Sequence, residues 1–159
     1  MVNTRPNFRQ VRTFLGRTTG SAFVARAHAD IARAVVKVAD AGFARGKDPY
    51  GRAWPKPLAG GRPLVKTGAL RQSLRPSASA RGARVITTLK YAGVHNRGAV
   101  IRAKRSRYLK FRVRGQFVQK RQVKIPKRTF LLERGQPLSA SYRRAITAVL
   151  DKRVQRAAR

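Results

Sequence analysis

IRAKRSRYLKFRVRGQFVQKRQVKIPKR, residues 101–128, decides how the rest of the chain is read: twelve of these residues are Lys or Arg and none is Asp or Glu. Apolar residues nevertheless recur at every second position. Leu109, Phe111 and Val113 alternate with Lys110, Arg112 and Arg114. Gly115 and Gln116 predict a tight turn, after which Phe117 to Ile125 returns with Val123 and Ile125 on one face. Random basic tails carry no period of two, so the stretch is expected to be a β-hairpin with one apolar and one cationic face.

The whole chain is as lopsided as this segment. Its 159 residues include 38 Lys or Arg against 5 Asp or Glu, a formal net charge of +33. In an isolated folded domain such a charge repels itself unless counterions or acidic partners relieve it, so a polyanion is expected nearby. The hydrophobic fraction of 42% is that of a globular protein and not of a disordered tail. Arg outnumbers Lys by 27 to 11; guanidinium forks suit phosphate and carboxylate, although a GC-rich genome produces the same bias. With no cysteine there is neither a disulfide framework nor a thiolate site. The first twenty residues, MVNTRPNFRQVRTFLGRTTG, lack the apolar run of a signal sequence, and no window approaches the roughly 18 apolar residues that span a membrane. The expectation is a protein inside a cell or within a particle, with no membrane partner.

Moving outward from the hairpin, the chain divides into an N-terminal arm or short helix over 1–20 and a single α+β domain over 21–159. Phe8, Val11 and Leu15 have helical spacing in the first part. After Ser21, Val24, Ala27, Ile31, Val35 and Val38 form a helical stripe opposite Arg26, Asp30, Arg33, Lys37 and Asp40, with an Arg26–Asp30 pair expected at i,i+4. Gly42 and Gly46 mark its end. Residues 47–68 are rich in Pro and Gly and predict an extended loop, with Trp54 as the hydrophobic anchor that pins it. A first hairpin is expected from Leu74 and from Arg84 to Leu89, turning near Arg81, Gly82 and Ala83. The basic hairpin insertion occupies 99–127. Tyr142, Ile146, Val149, Leu150 and Val154 form a last helical stripe with Ser139 or Ser141 as N-cap. Both helices are expected to cover one face of a small antiparallel sheet.

Catalytic machinery is scarce. The acids Asp30, Asp40, Asp48, Glu133 and Asp151 show no paired spacing, and His28 and His95 are too isolated for a zinc pair. GGRPLVKTG (60–68) has the flavour of a phosphate loop without its spacing. No catalytic residue, metal ligand, cofactor or small-molecule substrate is therefore expected, and the chain is expected not to be an enzyme.

Four segments in order carry a resemblance: PYGRAWPKPL (49–58), RPLVKTGALRQSL (62–74), YAGVHNRG (91–98) and IPKRTFL (125–131). Together they resemble the virion morphogenesis or tail completion proteins of Mu-like tailed phages, relatives of the neck tail-component proteins of lambdoid phages. The matching positions are Gly51, Trp54 and Leu58; Leu64, Thr67, Gly68, Leu70 and Ser73; Tyr91, Ala92, His95 and Gly98; and Pro126, Arg128, Phe130 and Leu131. The segment between Gly98 and Pro126 departs from the family in length and basicity. Physically, Thr67 is expected to act as an N-cap with Gly68 relieving crowding, Leu70 and Leu74 to enter the core, and Tyr91 and His95 to satisfy buried polar atoms.

The resemblance implies a structural neck protein, in tail completion or head–tail joining, that forms a ring of six or twelve copies around the DNA path. Its implied partners are other neck, portal-adaptor and tail-tube proteins and the packaged DNA, and its implied location is the virion neck. On that reading Arg102, Lys104, Arg105, Arg107, Lys110, Arg112, Arg114, Lys120, Arg121 and Lys124 would meet DNA phosphates or acidic neighbouring rings. A tail terminator or head-closure ring is the alternative within the neck. Outside it stands a ribosomal- or nucleoid-type nucleic-acid-binding protein, for which Tyr108, Phe111 and Phe117 interleave aromatics with the charge. A hydrolase of DNA ends would show metal-dependent activity, and none is expected.

Overall fold

The computed structural model describes Gly16, residues 20–132 and residues 135–158. The helical spacing of Phe8, Val11 and Leu15, and Glu133, lie outside the described residues. The fold is α+β. Helix α1 (Ser21–Arg45) ends at Gly46, which takes the left-handed conformation at φ 66° and donates its N–H to the Gly42 carbonyl. Its inward face is Ala27, Ala32, Val35, Ala39, Gly42 and Phe43. That face is rotated from the stripe expected, so Val24, Ile31 and Val38 are only half-buried. Small residues dominate it because hairpin and helix partners pack closely on both flanks.

Strands β1 (Arg75–Ser79) and β2 (Gly82–Ile86) form an antiparallel hairpin with Arg75 opposite Ile86 and Ser79 opposite Gly82. The turn is therefore Ala80–Arg81, one residue earlier than expected, and β2 stops at Ile86, short of Leu89. The hairpin packs on α1, and the His28 ring Nδ1 lies 2.8 Å from the Ser79 carbonyl at its tip.

Helix α2 (Ala69–Gln72) is one turn, and α3 (Ala92–Arg97) little more. The last helix, α4 (Ala140–Ala158), packs along α1. Of the two expected caps, Ser139 holds the position: its hydroxyl accepts the Tyr142 N–H at 3.4 Å. The expected stripe on α4 holds only in part. Tyr142 is fully buried, but Leu150 and Val154 are exposed, and Arg153 turns inward instead. The reason is Asp30. It accepts Arg153 Nε at 2.6 Å and pairs with Arg33, so the expected Arg26–Asp30 pair does not form. Asp40 reaches Arg71 at 3.1 Å. Through Arg153 and Arg71 these acids tie α1 to other elements.

The expected single sheet is replaced by three two-stranded ribbons: β1–β2, β3 (Ala99–Arg102) with β6 (Gln122–Ile125), and β4 (Leu109–Val113) with β5 (Gln116–Lys120). Pro76 deprives β1 of a ladder donor and suits it to an edge. The core is elsewhere. Ala39 and Phe43 of α1, Trp54, Leu70, Leu74, Ala92 and Phe130 form one buried cluster, with Val85 and Leu89 packed against it. Trp54 and Phe130 each set a ring against Phe43, with centroids 5.3 and 5.4 Å away.

Candidate functional site

The basic segment is a long arm built from two ribbons in series. Strand β3 (Ala99–Arg102) pairs with β6 (Gln122–Ile125) at its base, and β4 (Leu109–Val113) pairs with β5 (Gln116–Lys120) beyond. The return strand is thus not continuous over Phe117 to Ile125; it breaks at Arg121. A signal for this is present in the sequence. Val118 and Val123 both belong with the half-buried residues, yet an odd separation would put them on opposite faces of one strand. One residue out of ladder restores the register. The tight turn is Arg114–Gly115, not Gly115–Gln116: both residues have positive φ, 51° and 83°, the signature of a type I′ turn. Arg at its first position conceals the usual Asn-Gly or Asp-Gly signal.

Cross-strand register sorts the side chains. Lys110, Arg112 and Phe117 share one face of the outer ribbon, and the Arg112 guanidinium sits 4.7 Å from the Phe117 ring centre. Arg102 and Lys124 share the corresponding face of the inner ribbon. The opposite, apolar face carries Ile101, Leu109, Phe111, Val113, Val123 and Ile125, and with Lys56 to Ala59 it encloses a groove of about 680 Å³. Lys120 lies beside Leu109 on that second face, Arg114 is in the turn, Arg121 is at the break, and Lys104, Arg105 and Arg107 lie in the connecting loop. All ten expected contact residues are exposed, but the structure gathers only four of them, Arg102, Lys110, Arg112 and Lys124, onto one ribbon face. Among the described residues none of the ten has a carboxylate partner.

The resemblance residues sit in the body. Arg128, Thr129 and Phe130 are buried and act as a spine onto which other segments hydrogen-bond. Trp54 Nε1 donates to the Thr129 carbonyl at 2.9 Å, joining loop 47–68 to the core. Arg128 Nε donates to the Pro55 carbonyl at 2.8 Å, and the Arg128 N–H donates to the His95 carbonyl at 2.9 Å. Asn96, which sequence reasoning passed over, accepts the Phe130 and Leu131 N–H groups on its side-chain oxygen at 2.9 and 3.0 Å. Ser73 Oγ bonds the Leu70 carbonyl at 2.8 Å and Thr87 Oγ1 at 2.7 Å. Gly98 has φ 77°, and a Cβ there would lie 3.0 Å from the Lys127 nitrogen, so only glycine lets the β3 and β6 ends cross the spine so closely.

Several expected roles change. Thr67 is not the N-cap of α2: Gly68, at φ 73°, holds that position, and Thr67 Oγ1 only accepts the Ala69 N–H at 3.4 Å. Tyr91 is exposed, and it and His95 meet edge to face at 5.8 Å; among the described residues neither side chain bonds a buried polar atom. Among the described residues His95 Nδ1 is buried with no hydrogen-bond partner. Burial and then the Arg128 charge hold the imidazole below its ordinary value. Gly51 and Leu58 stay out of the core, Leu58 being 78% exposed at the edge of the groove. Asp48 organises its loop by accepting the N–H groups of Tyr50 and Arg52 at 2.9 Å and Arg52 Nε at 2.7 Å.

A family model for phage virion morphogenesis proteins matches residues 7–155, from the N-terminal segment through body and arm to the end of α4. The chain belongs to the phage virion morphogenesis family. No curated protein and no solved structure matches it. Membership makes it a protein of bacteriophage virion structure and assembly. For this virion morphogenesis protein, the spine and its tethers are the part that the resemblance residues build, and the arm is the part in which its own charge is concentrated. No helix among its described residues is long and apolar enough to cross a membrane, and no group of three or more His, Cys, Asp or Glu gathers among them.

Proposed function

We propose that this virion morphogenesis protein is a non-enzymatic neck component that completes the tail or joins head to tail. It forms a ring of six or twelve copies around the DNA path, with the cationic face of the arm turned to phosphate. The observation that carries this reading is the distribution of charge. Asp30, Asp40 and Asp48 are engaged with arginines of the body, whereas the arm presents ten exposed Lys and Arg without a carboxylate among the described residues. Such a surface repels itself, and an anion supplied from outside relieves that repulsion. Contacts to phosphate from a ribbon face position a duplex without reading its bases, which suits a channel that must pass any sequence. Other neck, portal-adaptor and tail-tube proteins would then stack above and below the ring, and a tail terminator or head-closure tier fits the same geometry.

The test is a salt titration of DNA binding with Arg102, Lys110, Arg112 and Lys124 changed to Gln, alongside sizing of the purified protein. Each lost phosphate contact lowers the slope of log K against log salt by roughly 0.9, so four lower it by about 3 to 4. An unchanged slope, or a protein that stays monomeric in solution and is missing from the necks of intact particles, refutes the proposal. The exposed Phe117 under Arg112 favours one second reading, a free nucleic-acid binder that stacks bases. That reading requires single strands to bind more tightly than duplex and Phe117→Ala to abolish the preference.

A further inference from the structure

A second recess, of about 640 Å³, shares Pro57, Ala59 and Arg128 with the arm groove and is walled otherwise by the stretch from Gly60 to Thr67 and by Leu70, Tyr91 and His95. Its polar lining is one-sided. Arg62, Lys66, His95 and Arg128 all contribute to it, and among the described residues no Asp or Glu does. Arg128 is the most telling of these. It is only 6% exposed, two of the roughly five N–H donors of its guanidinium reach carbonyls of Pro55 and Lys56, and it has no ion pair among the described residues. A buried guanidinium without a counter-charge is costly, and burial depresses its ionisation accordingly. Beside it, His95 leaves a buried ring nitrogen without a partner. Leu64, in the wall, is held at φ 62°, a left-handed conformation that a leucine does not adopt without strain. Cations gathered without an acid, an orphaned imidazole and a strained wall residue converge on one recess.

We propose that this recess receives the carboxylate of an Asp or Glu side chain, carried between apolar residues on a segment of another virion protein. Duplex phosphates lie on a broad convex rim and cannot enter a recess to reach Arg128, whereas a carboxylate on a flexible stem can. The walls Leu64, Val65, Leu70 and Tyr91 offer apolar surface to the residues flanking it. A second copy of this chain is a poor donor. Of its five acids, Asp30, Asp40 and Asp48 are already paired, and each copy brings a further +33 of repulsion. The carboxylate would complete the charge of Arg128 at the junction of the 47–68 loop, α3 and the spine. Arg62 and Lys66, both exposed at the rim, would guide it in.

The chain has two histidines, so their ring resonances report the recess and a built-in control. His95 lines the recess, while His28 is held at the Ser79 carbonyl on the long helix. The full chain is titrated with an acetylated and amidated Leu-Glu-Leu peptide, its Leu-Gln-Leu counterpart, inorganic phosphate and a short DNA duplex. The Glu peptide should move the His95 signals saturably and leave His28 in place, and the Gln peptide should move neither. Lys66→Glu, at an exposed position that leaves folding intact, should weaken the Glu peptide about tenfold, the scale of one charge-assisted contact. Equal responses of both histidines, equal binding of the Gln peptide, a stronger His95 response to phosphate or duplex, or an indifferent Lys66→Glu variant would each overturn the proposal.

Discussion

Body and arm obey different physics although they are continuous in sequence. In the body, Phe43, Trp54, Leu70, Leu74 and Phe130 are removed from water, and Asp30, Asp40 and Asp48 are matched to specific arginines. In the arm no residue joins that core, the apolar face is only half-covered, and Phe117 is 67% exposed. The body's stability comes from burial. The arm is held by ladder hydrogen bonds, cross-strand pairs and one tight turn, which sustain a two-stranded ribbon only marginally. A region of like charges can therefore persist next to a well-packed one because none of its residues joins the buried cluster.

The sharpest way to break this contrast is a pair of aromatic truncations. Trp54→Ala should cost about 3–5 kcal/mol of unfolding free energy, since it empties a core position and leaves the Thr129 carbonyl unpaired. Phe117→Ala should cost under about 0.5 kcal/mol, as exposed substitutions do. Chemical denaturation measures both, and similar losses would mean that the arm is part of the core after all.

A smaller effect probes how the body uses its few acids. Hydrogen bonding from Arg33 holds the Asp30 carboxyl below its ordinary 3.8, against the opposing effect of desolvation, and Arg153 adds to the lowering. The group's contribution is thus complete above pH 3.8 and is lost as pH falls through the lowered value. Asp30→Asn should cost about 1–2 kcal/mol at neutral pH by leaving Arg153 without its charge partner, and the variant should lose part of the acid limb of the stability profile. Thermal melts across pH check this. A variant that matches the parent at neutral pH would show that α4 is held by apolar packing alone.

A change of opposite sign and small size belongs to the arm. Arg114→Asn puts at the first turn position a residue that tolerates positive φ, and should stabilise the outer ribbon by about 0.5–1 kcal/mol. Hydrogen exchange at Val113 and Gln116 should slow while core amides keep their rates. Slowing throughout the chain would join the two regions into one cooperative unit.

Local patterns made much of this legible. The period of two in 109–113, the Gly46 stop, the break in regularity over 47–68 and the helical run after Ser139 are short-range consequences of sterics and capping, and each reappears as an element. The family motifs were legible in the same way. The spine that those motifs build was not, because Asn96 looks like any surface amide until the chain returns from 98 to 130 to place two N–H groups on it. The recess at Arg128 was hidden for the same reason, since its cations come from three separate stretches.

The sequence by itself determined the excess of charge, the α+β composition, the two-faced ribbon and the positions where the backbone must turn, since these depend on residues within a few places of one another. Only the tertiary structure decided that the strands form three ribbons and not a sheet, that Asp30 belongs to Arg153 and not to Arg26, and that four of ten arm cations share a face. Those outcomes depend on which distant surfaces exclude water together. Burial is a property of neighbours in space, and no local pattern names them.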